Sequence, residues 1–184
     1  SHGRLLDVIV ADSDNDGRKE IILTTYLTSP PRGRLYVIEN NGGTSFSDIY
    51  QIIDLPNEEG RYIGAFSGVT VADSDRDGRN EIIFGAGHIE VDGGAERSVD
   101  QLYIYESTSN NSYVKKYTGL SRQYTTFNQW DSCAITVEDV DKDGLHELVL
   151  GENDDADMWV WEITGNDTWS TDITQTTYEF KDAL

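Results

Sequence analysis

One stretch of this chain occurs three times with its spacing intact. DVIVADSDNDGRKEIIL (residues 7–23) returns as GVTVADSDRDGRNEIIF (68–84) and again as AITVEDVDKDGLHELVL (134–150). The first aspartate of each acidic core is Asp12, Asp73 or Asp139, so the intervals are 61 and 66 residues. Self-similarity at a recurring interval marks an array in which each repeat is one supersecondary unit that buries its apolar face on a neighbour. The chain therefore divides into three units, approximately 4–61, 62–122 and 123–184, forming one repeat domain.

Within each unit the apolar periodicity is two, and β-branched residues dominate, which is the signature of strands. The first unit offers LLDVIVA, EIILTTYL, GRLYVIEN and SFSDIYQIIDL; the second FSGVTVA, EIIFGAG, DQLYIYES and SYVKKYTGL; the third CAITVE, ELVLGEN, DMWVWEIT and WSTDITQTTY. Four short strands joined by polar turns make an antiparallel sheet of the kind that forms a β-propeller blade. The expected fold is all-β and propeller-type, with three four-stranded blades. Closed propellers use about four to eight blades, so the sequence implies others, supplied either by a longer chain or by further copies.

Between the first two strands of every unit lies D-x-D-x-D-G-x-x-E. The residues are Asp12, Asp14, Asp16, Gly17 and Glu20; Asp73, Asp75, Asp77, Gly78 and Glu81; Asp139, Asp141, Asp143, Gly144 and Glu147. Alternate carboxylates repel one another unless neutralised, and the glycine permits a sharp turn. An all-oxygen set of this kind suits a hard cation. Ca2+ takes six to eight oxygens in loose geometry, whereas Mg2+ avoids all-protein cages and softer metals call for His or Cys. Three Ca2+ ions are expected. Solvated Asp/Gly turns without an ion are the plain alternative, and recurrence in one frame weighs against them. An EF-hand needs an acid at loop position 12, where this chain has Leu23, Phe84 and Leu150.

Apolar strand, D-x-D-x-D-G-x-x-[DE], apolar strand, at this spacing resembles the FG-GAP (VCBS-type) repeats of integrin alpha-subunit propellers and many secreted bacterial proteins. The resemblance covers essentially the whole chain. It implies that loop positions 1, 3, 5 and 9 bind Ca2+ together with the carbonyl at position 7, adding Arg18, Arg79 and Leu145 to the ligand set. FGAG (84–87) lacks the proline of the family's Gly-Ala-Pro element, and Ser67 separates Phe66 from Gly68. These departures favour the broader bacterial-type repeat over an integrin.

The net charge of −20 opposes a nucleic-acid or anionic-membrane partner. The loops hold twelve of the carboxylates, so three divalent ions would leave −14. No apolar run approaches the roughly 18 residues of a membrane span. A single cysteine, Cys133, allows no internal disulfide. Tyr124, Phe127 and Trp130 offer a candidate surface for a protein or glycan ligand, whereas Trp159 and Trp161 share one strand face, as residues packed between blades do. His146, beside Glu147, is expected to be exposed rather than to act as a base. Asn110 and Asn166 fit glycosylation sequons. No nucleophile elbow, phosphate loop or His/Cys cluster is present. The expected function is a non-catalytic, extracellular calcium-binding module. The alternatives are the propeller portion of a secreted polysaccharide-degrading enzyme, or a homo-oligomer that completes a propeller.

Overall fold

A strand with alternating apolar residues buries one face, and a strand with apolar residues on both faces needs a partner on each side. The central unit of this chain is of the second kind. In the computed structural model, described for residues 3–28, 31–46, 51–54, 62–92, 95–124, 134–151 and 158–169, every regular element is a strand. β1 (Gly3–Ala11), β2 (Glu20–Thr28), β3 (Pro31–Gly42), β4 (Ser45–Phe46) and β5 (Gln51–Asp54) form the first sheet; β6 (Tyr62–Ala72), β7 (Glu81–Asp92), β8 (Ala95–Ser109) and β9 (Ser112–Tyr124) the second; β10 (Ala134–Glu138), β11 (His146–Gly151), β12 (Met158–Gly165) and β13 (Thr168–Trp169) the third.

All pairings are antiparallel and, apart from that of β5 with β3, join neighbours in sequence, the meander that a blade requires. In the first sheet the expected fourth strand is divided. β4 pairs the end of β3 at Asn40 and Gly42, and β5 pairs its middle at Arg34 to Val37. The first strands of successive sheets lie side by side, β1 against β6 and β6 against β10. Asp7, at a bulge in β1, accepts a hydrogen bond of 2.9 Å from the Val69 amide of β6.

Two cores separate the three sheets. Ile22, Leu35 and Val37 of the first meet Val69, Ile82, Phe84 and Tyr103 of the second. On the other side of the second sheet Ile83, Leu102 and Ile104 meet Leu148, Leu150 and Trp161 of the third. β7 thus sends Ile82 and Phe84 one way and Ile83 the other, so its near-continuous apolar run is explained by burial on both faces. Phe84 stacks on Tyr103, with centroids 5.5 Å apart, and on Tyr105 at 5.8 Å. Trp161 lies within the second core, as its alternation implies. This is a propeller-type stack of blades.

Candidate metal centre

Each acidic loop spans the turn from the first to the second strand of its blade, with Ala11 paired to Glu20, Ala72 to Glu81 and Glu138 to Glu147. The turn needs two left-handed residues. Position 6 is Gly17, Gly78 or Gly144, with φ of +88°, +91° and +100°. Position 4 is Asn15, Arg76 or Lys142, with φ of 64°, 63° and 65°, a conformation that costs a non-glycine residue energy.

The backbone amides so presented bind one oxygen of each carboxylate. Asp12, Asp73 and Asp139 accept through Oδ2 from the glycine amides at 3.0, 3.1 and 3.1 Å. Asp14, Asp75 and Asp141 accept from the amides of Asp16, Asp77 and Asp143 at 3.2, 3.2 and 3.1 Å. Those aspartates accept in turn from Arg18, Arg79 and Leu145 at 2.8, 2.9 and 2.8 Å. The closing glutamate is held through Oε2. Ser13 gives Glu20 its amide and hydroxyl at 2.6 and 2.8 Å, Ser74 gives Glu81 both at 2.7 Å, and Val140, which has no hydroxyl, gives Glu147 its amide alone at 2.7 Å.

The remaining oxygens decide what the loop is for. Oδ1 of Asp12, Asp73 and Asp139 and Oε1 of Glu20, Glu81 and Glu147 are buried without a hydrogen-bond partner, the same two atoms in all three loops. A buried carboxylate oxygen left without a donor is costly, and a cation removes the cost. The ligand atoms of Asp12, Asp14, Asp16 and Glu20 lie within 4.8 Å of one another, as do those of Asp73, Asp75 and Glu81 and of Asp139, Asp141 and Glu147. Asp77 groups instead with Asp75 and Glu106, and Asp143 with Glu147 and Glu162. The donors fit a hard divalent cation.

Burial pushes the Glu81 carboxyl up to about 8, with repulsion from Asp75 and Asp73 adding to it and the Ser74 hydrogen bonds opposing. Glu20 is raised chiefly by burial as well. A carboxyl whose folded pKa lies above its unfolded value stabilises the metal-free fold fully below the unfolded value of 4.5, and that contribution is lost as pH rises through about 8. A cation needs the ionised form and so displaces the proton. Calcium titration at pH 7 is therefore expected to release on the order of one proton from the second loop. Calorimetry in buffers of different ionisation enthalpy reads this release, and a heat independent of buffer contradicts it.

Sequence reasoning missed a fifth acid in each unit. Glu39, Glu106 and Glu162 stand directly across from Glu20, Glu81 and Glu147 on the third strands. The available signal was the recurrence of LYVIE, LYIYE and MWVWE. The Asn111 amide group and the Arg18 guanidinium hold the Glu39 carboxyl below the usual range. Arg79 and Lys116 pair with Glu106 at 2.9 and 3.0 Å. Leu145 stands in the third loop where the others have arginine.

The first and second loops are also gripped by the next blade. The turn after β8 brings the Asn111 amide to Asp14 Oδ2 at 2.5 Å and Asn110 Nδ2 to Asp16 Oδ2 at 2.7 Å. The turn after β12 does the same to the second loop, Asp167 to Asp75 at 2.7 Å and Asn166 to Asp77 at 3.0 Å. The two sequon asparagines thus spend their amide groups on neighbouring loops. His146 is half-buried rather than exposed. Its Nδ1 donates to the Ser74 carbonyl at 3.1 Å, and Nε2 accepts from Arg76 Nε at 3.3 Å. Tyr124 ends β9; its side chain, and Phe127, Trp130 and Cys133 entirely, lie outside the described residues. Among the described residues no helix is long and apolar enough to cross a membrane.

No curated protein and no solved structure matches the chain. A family model does match, over the residues that run from the first loop carboxylate to the central strand of the second blade. Residues 12–84 of this chain match the model of an FG-GAP-like repeat.

Proposed function

We propose that this chain is a non-catalytic, extracellular module whose three acidic loops hold Ca2+ and whose remaining surface binds a protein or glycan ligand. The observation that carries the calcium reading is the pair of orphaned oxygens at positions 1 and 9, repeated in three independent loops. Asp12, Asp14, Asp16 and Glu20 would hold the first ion, Asp73, Asp75, Asp77 and Glu81 the second, and Asp139, Asp141, Asp143 and Glu147 the third. The carbonyls of Arg18, Arg79 and Leu145 join the set through the family resemblance. The bound ion supplies charge neutralisation. The chain fixes each carboxylate by a backbone amide beforehand, so little ordering remains for binding to offset.

The non-catalytic reading is supported by how the candidate groups are engaged: loop carboxylates with backbone amides, and His146 with Ser74 and Arg76. Millimolar external calcium suits modest-affinity sites of this type. Calcium calorimetry of the full chain is expected to count three sites and, after Asp73→Asn with Asp75→Asn, two. Zero sites, or equal affinity for Mg2+, would overturn the assignment. A glycan array on the calcium-loaded chain tests the ligand class.

A further inference from the structure

The two joints between the described blades follow one pattern, and among the described residues the first and third blades each carry one half of that pattern without a partner blade. Inside the chain, β1-, β2- and β3-type residues of one face meet the opposite face of the preceding sheet. The same face on the first sheet holds Val8, Val10, Ile21, Leu23, Tyr36 and Ile38 by register, and it is open, with Val8 and Val10 49% and 61% exposed.

The most telling residues lie at loop position 2 and at the start of the fourth strand. At the first joint Ser13 is fully buried, and its hydroxyl lies 2.6 Å from the hydroxyl of Tyr113 on the next blade. The third loop has Val140 in place of the serine, 57% exposed. The residue that corresponds to Tyr113 in the first sheet is Phe46, because it pairs with Asn40 as Tyr113 pairs with Ser107. Phe46 is 48% exposed. Both hydroxyls of the first joint are thus missing together, on two surfaces that meet no other blade among the described residues. A polar pair has become an apolar pair.

The loops also touch across each internal joint, through residues at loop position 8 of one blade and loop position 4 of the other. Asn80 donates its amide to Asn15 at 2.9 Å and its side chain to the Asp12 carbonyl at 2.6 Å, and Arg76 binds the Gly144 carbonyl and, at 3.4 Å, Asp139. At the open ends the corresponding residues are Lys19 and Lys142. Each lysine would face the acidic loop of the other side, and a shallow depression lined by Val10, Gly17, Arg18, Lys19, Asn40 and Gly42 marks where Lys142 would enter.

We infer that the open face of the first blade receives the third blade of a second copy of this chain, with Phe46 of one copy covering Val140 of the other. The relation is reciprocal, so two copies close one ring under a two-fold axis. The three sheets of the described residues, doubled, make six blades, within the usual range of about four to eight; one set alone or three sets fall outside it. The joint also completes the third cation site. The turn after β3, at Gly43 and Thr44, corresponds to the turn at Asn110 and Asn111, so a Thr44 amide would reach Asp141 as the Asn111 amide reaches Asp14. This rests on the propeller-type calcium module proposed above.

Light scattering of the full chain in calcium is expected to give twice 20.6 kDa. Phe46→Arg and Val140→Arg should each halve the mass while leaving the β-rich circular dichroism spectrum intact, because both side chains are exposed within the single chain. Phe46→Tyr alone should weaken the dimer by burying an unpaired hydroxyl. Phe46→Tyr with Val140→Ser should restore it by installing the pair used at the first joint. A 20.6 kDa particle at all concentrations, a mass other than that of two copies, or a dimer indifferent to both arginine variants overturns the inference. Melting of the same samples with and without chelator reports on the calcium reading separately, so failure of the ring is distinguishable from failure of the metal sites.

Discussion

Chelating the calcium proposed for the three loops is expected to lower the melting temperature of the chain by about 15–30 °C. A ligand at a hundredfold excess over its Kd stabilises the fold by about 2.7 kcal/mol. Three sites therefore contribute about 8 kcal/mol, and in a chain of this size each kcal/mol moves Tm by roughly 2–4 °C. The effect is large because the ligands are already arranged. Each loop holds three or four carboxylates within 4.8 Å of one another, and without a cation they repel one another while two of their oxygens stay buried without donors. Scanning calorimetry with Ca2+, with chelator and with Mg2+ checks the expectation. A melting temperature unmoved by chelator would show that the loops are held by their backbone amides alone.

Most of the sheet content was legible because strand alternation is a local property. The run EIIF (81–84) is apolar on both faces, and its double burial between two blades follows from that pattern. The loop carboxylates were legible for the same reason, since their ligand spacing lies within nine residues of chain. What stayed hidden depends on register and on contacts distant in sequence. Glu39 faces Glu20 only once β2 and β3 are aligned. Asn111 reaches Asp14 across 97 residues, and nothing in NNS itself points to an acidic loop. The change from Ser13 and Ser74 to Val140 was visible from the start, yet it acquired meaning only when Tyr113 was found against Ser13. His146 was read as exposed because the loop that half-buries it belongs to the neighbouring blade. The split of the fourth strand in the first sheet has no sequence signal that we can name.

Phe84→Ala is expected to destabilise the chain by about 3–5 kcal/mol, the usual cost of emptying a fully buried phenylalanine site, and so to lower Tm by roughly 6–20 °C. Phe84 is 0% exposed and stacks between Tyr103 and Tyr105 on the side facing the first blade. Its neighbour Ile83, equally buried, faces the third blade, and Ile83→Ala should cost about 2–5 kcal/mol. The two substitutions lie one residue apart but loosen different joints, and each joint positions a different grip on an acidic loop. Loosening the first should free the Asn111 amide from Asp14, whereas loosening the second should free the Asp167 amide from Asp75. Hydrogen exchange distinguishes them. Phe84→Ala is expected to speed exchange at Asn111 more than at Asp167, and Ile83→Ala the reverse. Equal acceleration at both amides in both variants would mean that the three blades open as one unit. A selective response would make each cation site a reporter of its own joint, because the residues that grip a loop belong to the blade that packs against it.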